Sequence, residues 1–184
     1  MKPTSNKLRS NNSVDHVIIR AKPGDPTRCL IRFGHTTIQG CLGRNGRTIF
    51  KREGDGKTPI ANMRVLYGYL KPSIKNSTRH QIIMSQTNQS LGWCDEPTHP
   101  SYNRSVKRPF SHSHEKMLRD DILYDFIIVL DWNITCRKRY CGSAIFFHVA
   151  KQGYPPTQGC IAVSKRDMKK IIPFITKKTR FKVL

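Results

Sequence analysis

Residues 145–164 read IFFHVAKQGYPPTQGCIAVS, and this stretch decides how the chain is interpreted. An apolar run ends in His148, a loop rich in glycine and proline follows, and Cys160 stands directly before a second apolar run. Short apolar runs between turn residues are typical of buried strands. We therefore expect a histidine and a cysteine at the ends of two neighbouring strands.

These two residue types can carry nucleophilic catalysis. A thiol reacts as its thiolate, and a neighbouring imidazole can take the proton, so His148 is the candidate base for Cys160. A loop-to-strand junction at Gly159 can turn the backbone N–H groups of Gly159 and Cys160 toward a developing oxyanion. Spacing alone nevertheless favours the simpler interpretation, in which the cysteine is a small core residue and the histidine is structural.

Outward from this segment, short apolar runs are divided by turn signals such as Asn45-Gly46. The sequence predicts a mainly β fold with one or two flanking helices. The predicted strands are 14–20, 29–33, 36–42, 63–70, 80–86, 123–132, 143–150, 161–163 and 179–184. Residues 90–113 are predicted to form a long irregular loop.

Two helices are predicted from capping residues and apolar spacing. Ser164 is placed to cap the first, with Asp167 in its opening turn, and Pro173 should shorten it. Ser113 is the expected cap of a second short helix over 113–121.

The charge is the unusual feature of the composition. Lys and Arg number 33 against 12 Asp and Glu, a formal net charge of +21. Such a field favours anionic partners, namely nucleic acid, anionic surfaces or acidic polymers. The length fits one domain at 14–184 after a disordered basic segment at 1–13, which lacks the apolar core of a secretory signal. No apolar run is long enough for a membrane span.

The 145–164 segment resembles the catalytic motif of the YkuD-type L,D-transpeptidases, in which a histidine precedes a Ser/Thr-His-Gly-Cys block. Thr157, Gly159 and Cys160 match the block, whereas Gln158 replaces its histidine and Ala162 stands where many members have arginine. The His-to-Cys loop is also shorter than in the best-known members. Residues 51–65, KREGDGKTPIANMRV, are similar to the family's upstream Gly…Thr-Pro-x-Gly segment, and residues 92–106 and 113–133 resemble a compact subgroup.

The resemblance implies a mainly β sandwich or barrel and a cysteine transpeptidase acting on peptidoglycan stem peptides. Cys160 would be the nucleophile and His148 the general acid and base, with Gly159, Thr157 and Gln158 forming the motif around the oxyanion. A backbone carbonyl and Thr157 are both open as the group that orients His148. No cofactor and no metal is implied. Water as the acceptor would make the same protein an L,D-carboxypeptidase.

Several residues are candidates for contacting substrate, with ordinary packing or solvation as the alternative for each: Arg104, Arg119, His114 and Tyr102. Cys94, His99, His112 and His114 lie in one region, but their spacing matches no common zinc module. A non-catalytic module that binds an anionic polymer, either cell wall or nucleic acid, stays open because of Gln158, Ala162 and the charge. No RNA- or DNA-binding motif is present, so specific nucleic-acid recognition is not expected.

The family's substrate lies in the cell envelope, whereas the lack of a recognisable signal leaves a cytoplasmic location open. Nothing reads as a long apolar interface stripe, so we expect a monomer.

Overall fold

The fold is described from a computed structural model, which describes residues 13–74 and 80–184. Fourteen strands are present in these ranges, together with one α-helix, α1 (Lys165–Ile171), and a 3-10 turn, Ile172–Phe174. The strands are β1 (His16–Lys22), β2 (Asp25–Phe33), β3 (Thr36–Cys41), β4 (Arg47–Thr48), β5 (Thr58–Pro59), β6 (Asn62–Leu70), β7 (Met84–Gln86), β8 (Leu91–Cys94), β9 (Arg104–Lys107), β10 (His114–Lys116), β11 (Phe126–Leu130), β12 (Phe146–Val149), β13 (Ile161–Val163) and β14 (Arg180–Val183).

The main sheet closes on itself. Its strand order is β11-β12-β13-β3-β2-β1-β14-β6-β7, and β11 also pairs with β6. Closure leaves the alternate side chains of each strand facing a shared interior. Ile19, Ile31, Phe126, Phe147 and Phe181 are among the fully or almost fully buried residues that fill it. The predicted mainly β architecture is confirmed.

A three-stranded sheet, in the order β10-β8-β9, accompanies a second apolar cluster beside β11 and β12. This cluster holds the side chains that β11 and β12 turn away from the barrel interior, including Ile127 and Phe146. Trp93 of β8 meets Phe146 edge to face, with ring centroids 5.1 Å apart. The outer side of these two barrel strands is therefore covered.

Helix α1 follows its capping prediction. The Asp167 N–H donates to Ser164 Oγ (3.0 Å), and Met168 and Ile171 are buried against the barrel core. The α-helix ends at Ile171, and Pro173 lies in the 3-10 turn that follows, because proline has no N–H for a continuing helical hydrogen bond.

Two secondary-structure predictions were wrong. The helix expected over 113–121 is replaced by β10, whose His114, Glu115 and Lys116 pair with β8. The loop expected over 90–113 contains β8 and β9, which pair antiparallel. β8 and β9 pair with each other across an irregular connection and β10 pairs back to β8, so the local pattern of Pro, Gly and polar residues did not reveal either pairing.

Of the predicted N-terminal segment 1–13, residues 1–12 lie outside the described part of the chain. Across 13–74 and 80–184, none of the helical structure has the length and apolar character needed to cross a membrane.

Candidate active site

His148 and Cys160 lie on the same outer face of two adjacent parallel strands. β12 pairs with β13 so that His148 stands opposite Ala162, and Cys160 precedes β13 by one residue. Phe147 and Ile161 point into the barrel core. Because side chains alternate along a strand, His148, Ala162 and Cys160 share the opposite side, with Cys160 the diagonal neighbour of His148.

The loop before Cys160 is fixed by Thr157. Its hydroxyl donates to the Cys160 carbonyl oxygen (2.7 Å) and accepts from the Gly159 N–H (3.1 Å). The Thr157 N–H donates to the Leu42 carbonyl (2.8 Å), which ties the loop to the end of β3. The threonine of the motif therefore holds the backbone that presents the thiol.

Gly159 occupies a position that only glycine fits. Its φ is +138°, and a Cβ there would lie 2.8 Å from the Lys57 carbonyl oxygen. The neighbouring Thr58 hydroxyl accepts from the Gly43 N–H (2.8 Å) and lies 3.5 Å from the Cys160 carbonyl oxygen. The 51–65 segment and the cysteine loop thus pack together, which explains why the two motifs occur in the same chain.

The Cys160 thiol is protonated in this arrangement. Sγ donates to the Ala144 carbonyl (3.1 Å) and accepts from the Phe146 N–H (3.3 Å). Burial raises the pKa of the thiol to about 12, and the Phe146 N–H offsets only part of that effect. The thiol hydrogen is therefore directed at the loop that contains Ala144.

His148 is neutral and oriented by a backbone carbonyl. Nδ1 lies 2.8 Å from the Val149 carbonyl oxygen, which can only accept, so Nδ1 carries the proton and Nε2 is left as the basic nitrogen. Burial lowers the pKa of His148 to about 4, although the carbonyls of Val149 and Leu123 favour the charged form. Tyr124 packs edge to face on the imidazole at 5.5 Å.

Asn103 positions the carbonyl that accepts the thiol. This buried side chain accepts at Oδ1 from the Trp93 indole N–H and from the Ala144 N–H (both 3.0 Å). Its Nδ2 donates to the carbonyls of Trp132 (3.0 Å) and Asn133 (2.8 Å). Ala144 itself has a positive φ of 51°. One amide therefore joins the three-stranded sheet to the loop beside Cys160.

A pocket of about 510 Å³ opens over Cys160 and His148. Its walls carry three basic and three acidic side chains, namely Lys51, Arg119, Lys151, Glu53, Asp95 and Glu115. Arg119 forms ion pairs with Glu115 (3.4 Å) and Asp121 (3.1 Å) and lies over the Tyr124 ring at 5.3 Å. Burial raises the pKa of Glu115. The pocket wall therefore carries side chains of both charge types next to the thiol, several of them paired with one another or with Asp55 and Asp121.

The structure brings together five of the residues singled out from the sequence, since the pocket is lined by Cys160, His148, Thr157, Gln158 and Arg119. Gly159 is buried beneath the loop. The other three candidate substrate contacts do not line this pocket. Arg104 is exposed on β9, the His114 ring accepts from Arg108 Nε (3.1 Å), and the buried Tyr102 donates its hydroxyl to Glu53. Tyr102 thus supports a wall residue from behind.

The residues considered for zinc do not form a metal-ligand set. Cys94 is buried in β8, whereas the ring centroids of His99 and His112 lie 4.6 Å apart with the rings tilted by 44°. In residues 13–74 and 80–184, no group of three or more His, Cys, Asp or Glu side chains is arranged to hold a metal ion.

Sequence reasoning missed Glu115, Tyr124 and Lys51 as wall residues. Glu115 was assigned to a helix, and its strand pairing with Trp93 is what directs it to the pocket side. Lys51 had a usable signal, because it begins the KREGDG segment that packs against the cysteine loop.

Comparison with known proteins assigns the chain to one protein family. The family model for YkuD, the L,D-transpeptidase catalytic domain, matches residues 34–183. No curated protein and no solved structure matches the chain. The matched region contains the pocket, its cysteine and histidine, and most of the barrel. The chain therefore belongs to the L,D-transpeptidase catalytic domain family.

Proposed function

We propose that the protein is a cysteine L,D-transpeptidase that cross-links peptidoglycan stem peptides. The observation that carries this proposal is the placement of Cys160 and His148 side by side on one strand face, at the floor of the 510 Å³ pocket. Family membership supports the reaction class. The proposed substrate lies in the cell envelope, so we propose that location for the reaction, with the cytoplasm as the alternative.

In the first half-reaction, the Cys160 sulfur attacks the carbonyl carbon of the third residue of a tetrapeptide stem. The thiol hydrogen leaves the Ala144 carbonyl and turns to His148 Nε2, which takes the proton and passes it to the nitrogen of the departing D-alanine as the carbon–nitrogen bond breaks. A thioester remains on Cys160. The neutral imidazole is suited to this role, because Nδ1 is already bonded to Val149 and Nε2 is unprotonated.

In the second half-reaction, an amine of another stem attacks the thioester and forms a 3→3 cross-link. His148 takes a proton from the amine and returns it to the sulfur as the carbon–sulfur bond breaks. The acidic side chains of the pocket suit the acceptor as an ammonium group, which loses one proton before it attacks. Arg119 and Lys151, which both pair with Asp121 (3.1 and 3.5 Å), would exchange that partner for stem carboxylates. Water in place of the amine would give carboxypeptidase action.

The oxyanion would be stabilised by the Cys160 N–H. The Gly159 N–H donates to Thr157 Oγ1 in this structure and becomes available only if that bond is exchanged. Thr157 and Gln158 therefore shape the loop around the developing charge.

The test is incubation with a disaccharide-tetrapeptide and mass spectrometry of the products. We expect a cross-linked dimer from the wild type and a thioester adduct that is absent in Cys160→Ala. Cys136→Ala, which changes an exposed cysteine, is the matched control and should retain activity. If tripeptide forms and the cross-linked dimer does not, the activity is that of a carboxypeptidase and not of a transpeptidase. Equal product from Cys160→Ala would refute the proposed nucleophile.

A further inference from the structure

One part of the barrel's outer surface is not covered by any residue in the described ranges 13–74 and 80–184. The outer side of β11 and β12 packs beneath the three-stranded sheet, and the outer side of β3 and β13 carries the small cluster of Cys41, Ala150 and Ala162 with Tyr154 against it. On β2 and β1, by contrast, Leu30 keeps 40% of its surface exposed and Arg20 is exposed beside it. This open region is the outer surface of β1 and β2.

The strand register makes this surface basic. β1 pairs with β14 on one side and with β2 on the other, so that Ile18 stands between Lys182 and Arg32. Two residues along, Arg20 stands beside Leu30, and Arg180 precedes Lys182 on β14. Because residues two apart share a face, Arg20, Arg32, Arg180 and Lys182 point to the same side, which we call the basic sheet face.

The spacing of these charges is set by the sheet. Neighbouring strands lie about 4.8 Å apart and alternate residues of one strand about 6.7 Å apart. Lys182 and Arg32 are therefore roughly 10 Å apart across β1, with Arg180 and Arg20 displaced along the strands in opposite directions. An extended chain carrying several anionic groups can contact all four at once.

The charges of this face are not neutralised by the described protein. None of Arg20, Arg32, Arg180 and Lys182 forms an ion pair within the described ranges, whereas six carboxylates pair with other lysines and arginines. In the described part of the chain, the Arg180 guanidinium donates to the carbonyls of Lys177 (3.4 Å) and Lys178 (3.2 Å) and contacts no carboxylate. The next basic residue in its row, Arg64, is already paired with Asp131.

We propose that the basic sheet face binds a linear phosphodiester polymer that carries no bases. Guanidinium groups match phosphate oxygens with paired hydrogen bonds, and release of counterions from such a polymer drives binding. No Phe, Tyr or Trp lies among the outward residues of β1, β2 and β14, so the stacking platforms of single-strand nucleic-acid sites are absent there. This role is separate from the proposed catalysis and does not depend on it.

The probe is poly(glycerol phosphate), titrated against the protein at several salt concentrations. Arg20→Glu, Arg32→Glu and Lys182→Glu together should weaken binding at least about tenfold at about 0.15 M salt and lower the salt slope by about two. The control combines Lys107→Glu, Arg139→Glu and Arg166→Glu, three exposed positions elsewhere, and changes the net charge equally. It should change affinity less than about threefold. Cys160→Ala should bind as the wild type does.

Equal loss in the two triple variants would overturn the proposal, since affinity would then follow net charge alone. If oligothymidylate binds more tightly than poly(glycerol phosphate), the ligand is a nucleic acid and the proposal is wrong. If polyglutamate binds equally well, the face recognises any acidic chain and the proposal is also wrong. Circular dichroism checks the fold of each variant. If the Glu triple is unfolded, the same three positions changed to Gln supply the measurement, with the same expected direction.

Discussion

At the scale of single residues, the thiol and the imidazole of the site are both neutral at pH 7. Burial raises the pKa of Cys160 and lowers that of His148, so a preformed thiolate–imidazolium pair is not the resting state. The sequence motif singled out both residues as the reactive pair. Their protonation depends on burial and on the Ala144 and Val149 carbonyls, which the local pattern does not contain.

The alkylation rate of Cys160 tests this state. In a Cys136→Ser and Cys141→Ser background, we expect slow reaction with iodoacetamide at pH 7 and a rate that still increases above pH 9, because the thiol is held protonated by burial. Mass spectrometry of the labelled peptide gives the rate. The wild type, with exposed Cys136, controls for reagent quality. A rate that reaches its plateau below pH 7 would show a preformed thiolate.

At the scale of elements, the site depends on the loop between β12 and β13. Gly159 and Gly153 both have positive φ there, +138° and +78°, but only Gly159 has a backbone oxygen 2.8 Å from the place of a Cβ. The two glycines therefore separate the effect of backbone conformation from that of a steric clash.

Alanine at each glycine should give different results. Gly153→Ala should lower the free energy of unfolding by about 1 kcal/mol, the ordinary cost of a positive φ for alanine. Gly159→Ala should cost more and should also reduce thioester formation, since the Lys57 carbonyl or the Cys160 loop must move. Urea unfolding and the rate of adduct formation measure both effects. Equal losses in the two variants would argue against the clash.

Elements were predictable where the local pattern was strong. The 36–42 and 161–163 strands and the Ser164 cap follow from alternation and capping, and all three are present. The 113–121 segment was misassigned because Ser113, Met117 and Leu118 match a helical spacing, while pairing with β8 outweighs that preference.

At the scale of the whole molecule, stability should depend on pH through one buried histidine. A folded pKa of about 4 against 6.5 means that the unfolded chain binds a proton first as pH falls. His148 therefore destabilises the fold progressively between pH 6.5 and 4. The carboxylates of Asp55, Asp121 and Asp131 have lowered pKa values and lose their contribution only below about pH 4.

Urea unfolding at pH 6.5, 5.5 and 4.5 tests this dependence. The wild type should lose stability with a slope approaching about 1.4 kcal/mol per pH unit, and His148→Gln should flatten it. His35→Gln, at an exposed turn position, should keep the wild-type slope. Glu115, whose pKa is raised, acts in the opposite sense but is common to all three proteins. Identical slopes would exclude His148 as the cause.

The closed sheet could be predicted only in part at this scale. Alternating strands and a closing C-terminal strand were expected, and β14 does pair with β1 and β6. The contact that completes the barrel, β11 with β6, joins segments far apart in the chain. Local patterns do not encode such a register. A barrel was expected, as one of two architectures, only from the family resemblance, and the basic sheet face was not predicted.

The amide of Asn103 has a consequence for protein engineering. The 145–164 segment contains the cysteine and the histidine, but the thiol hydrogen is received by the carbonyl of Ala144, whose N–H is held by the asparagine directly before β9. A graft of that segment onto another barrel would transfer Cys160 and His148 without the contact that holds Ala144 in place. A transplanted site would need the three-stranded sheet as well. The smallest segment that can be grafted is therefore much larger than the sequence motif by which the site is recognised.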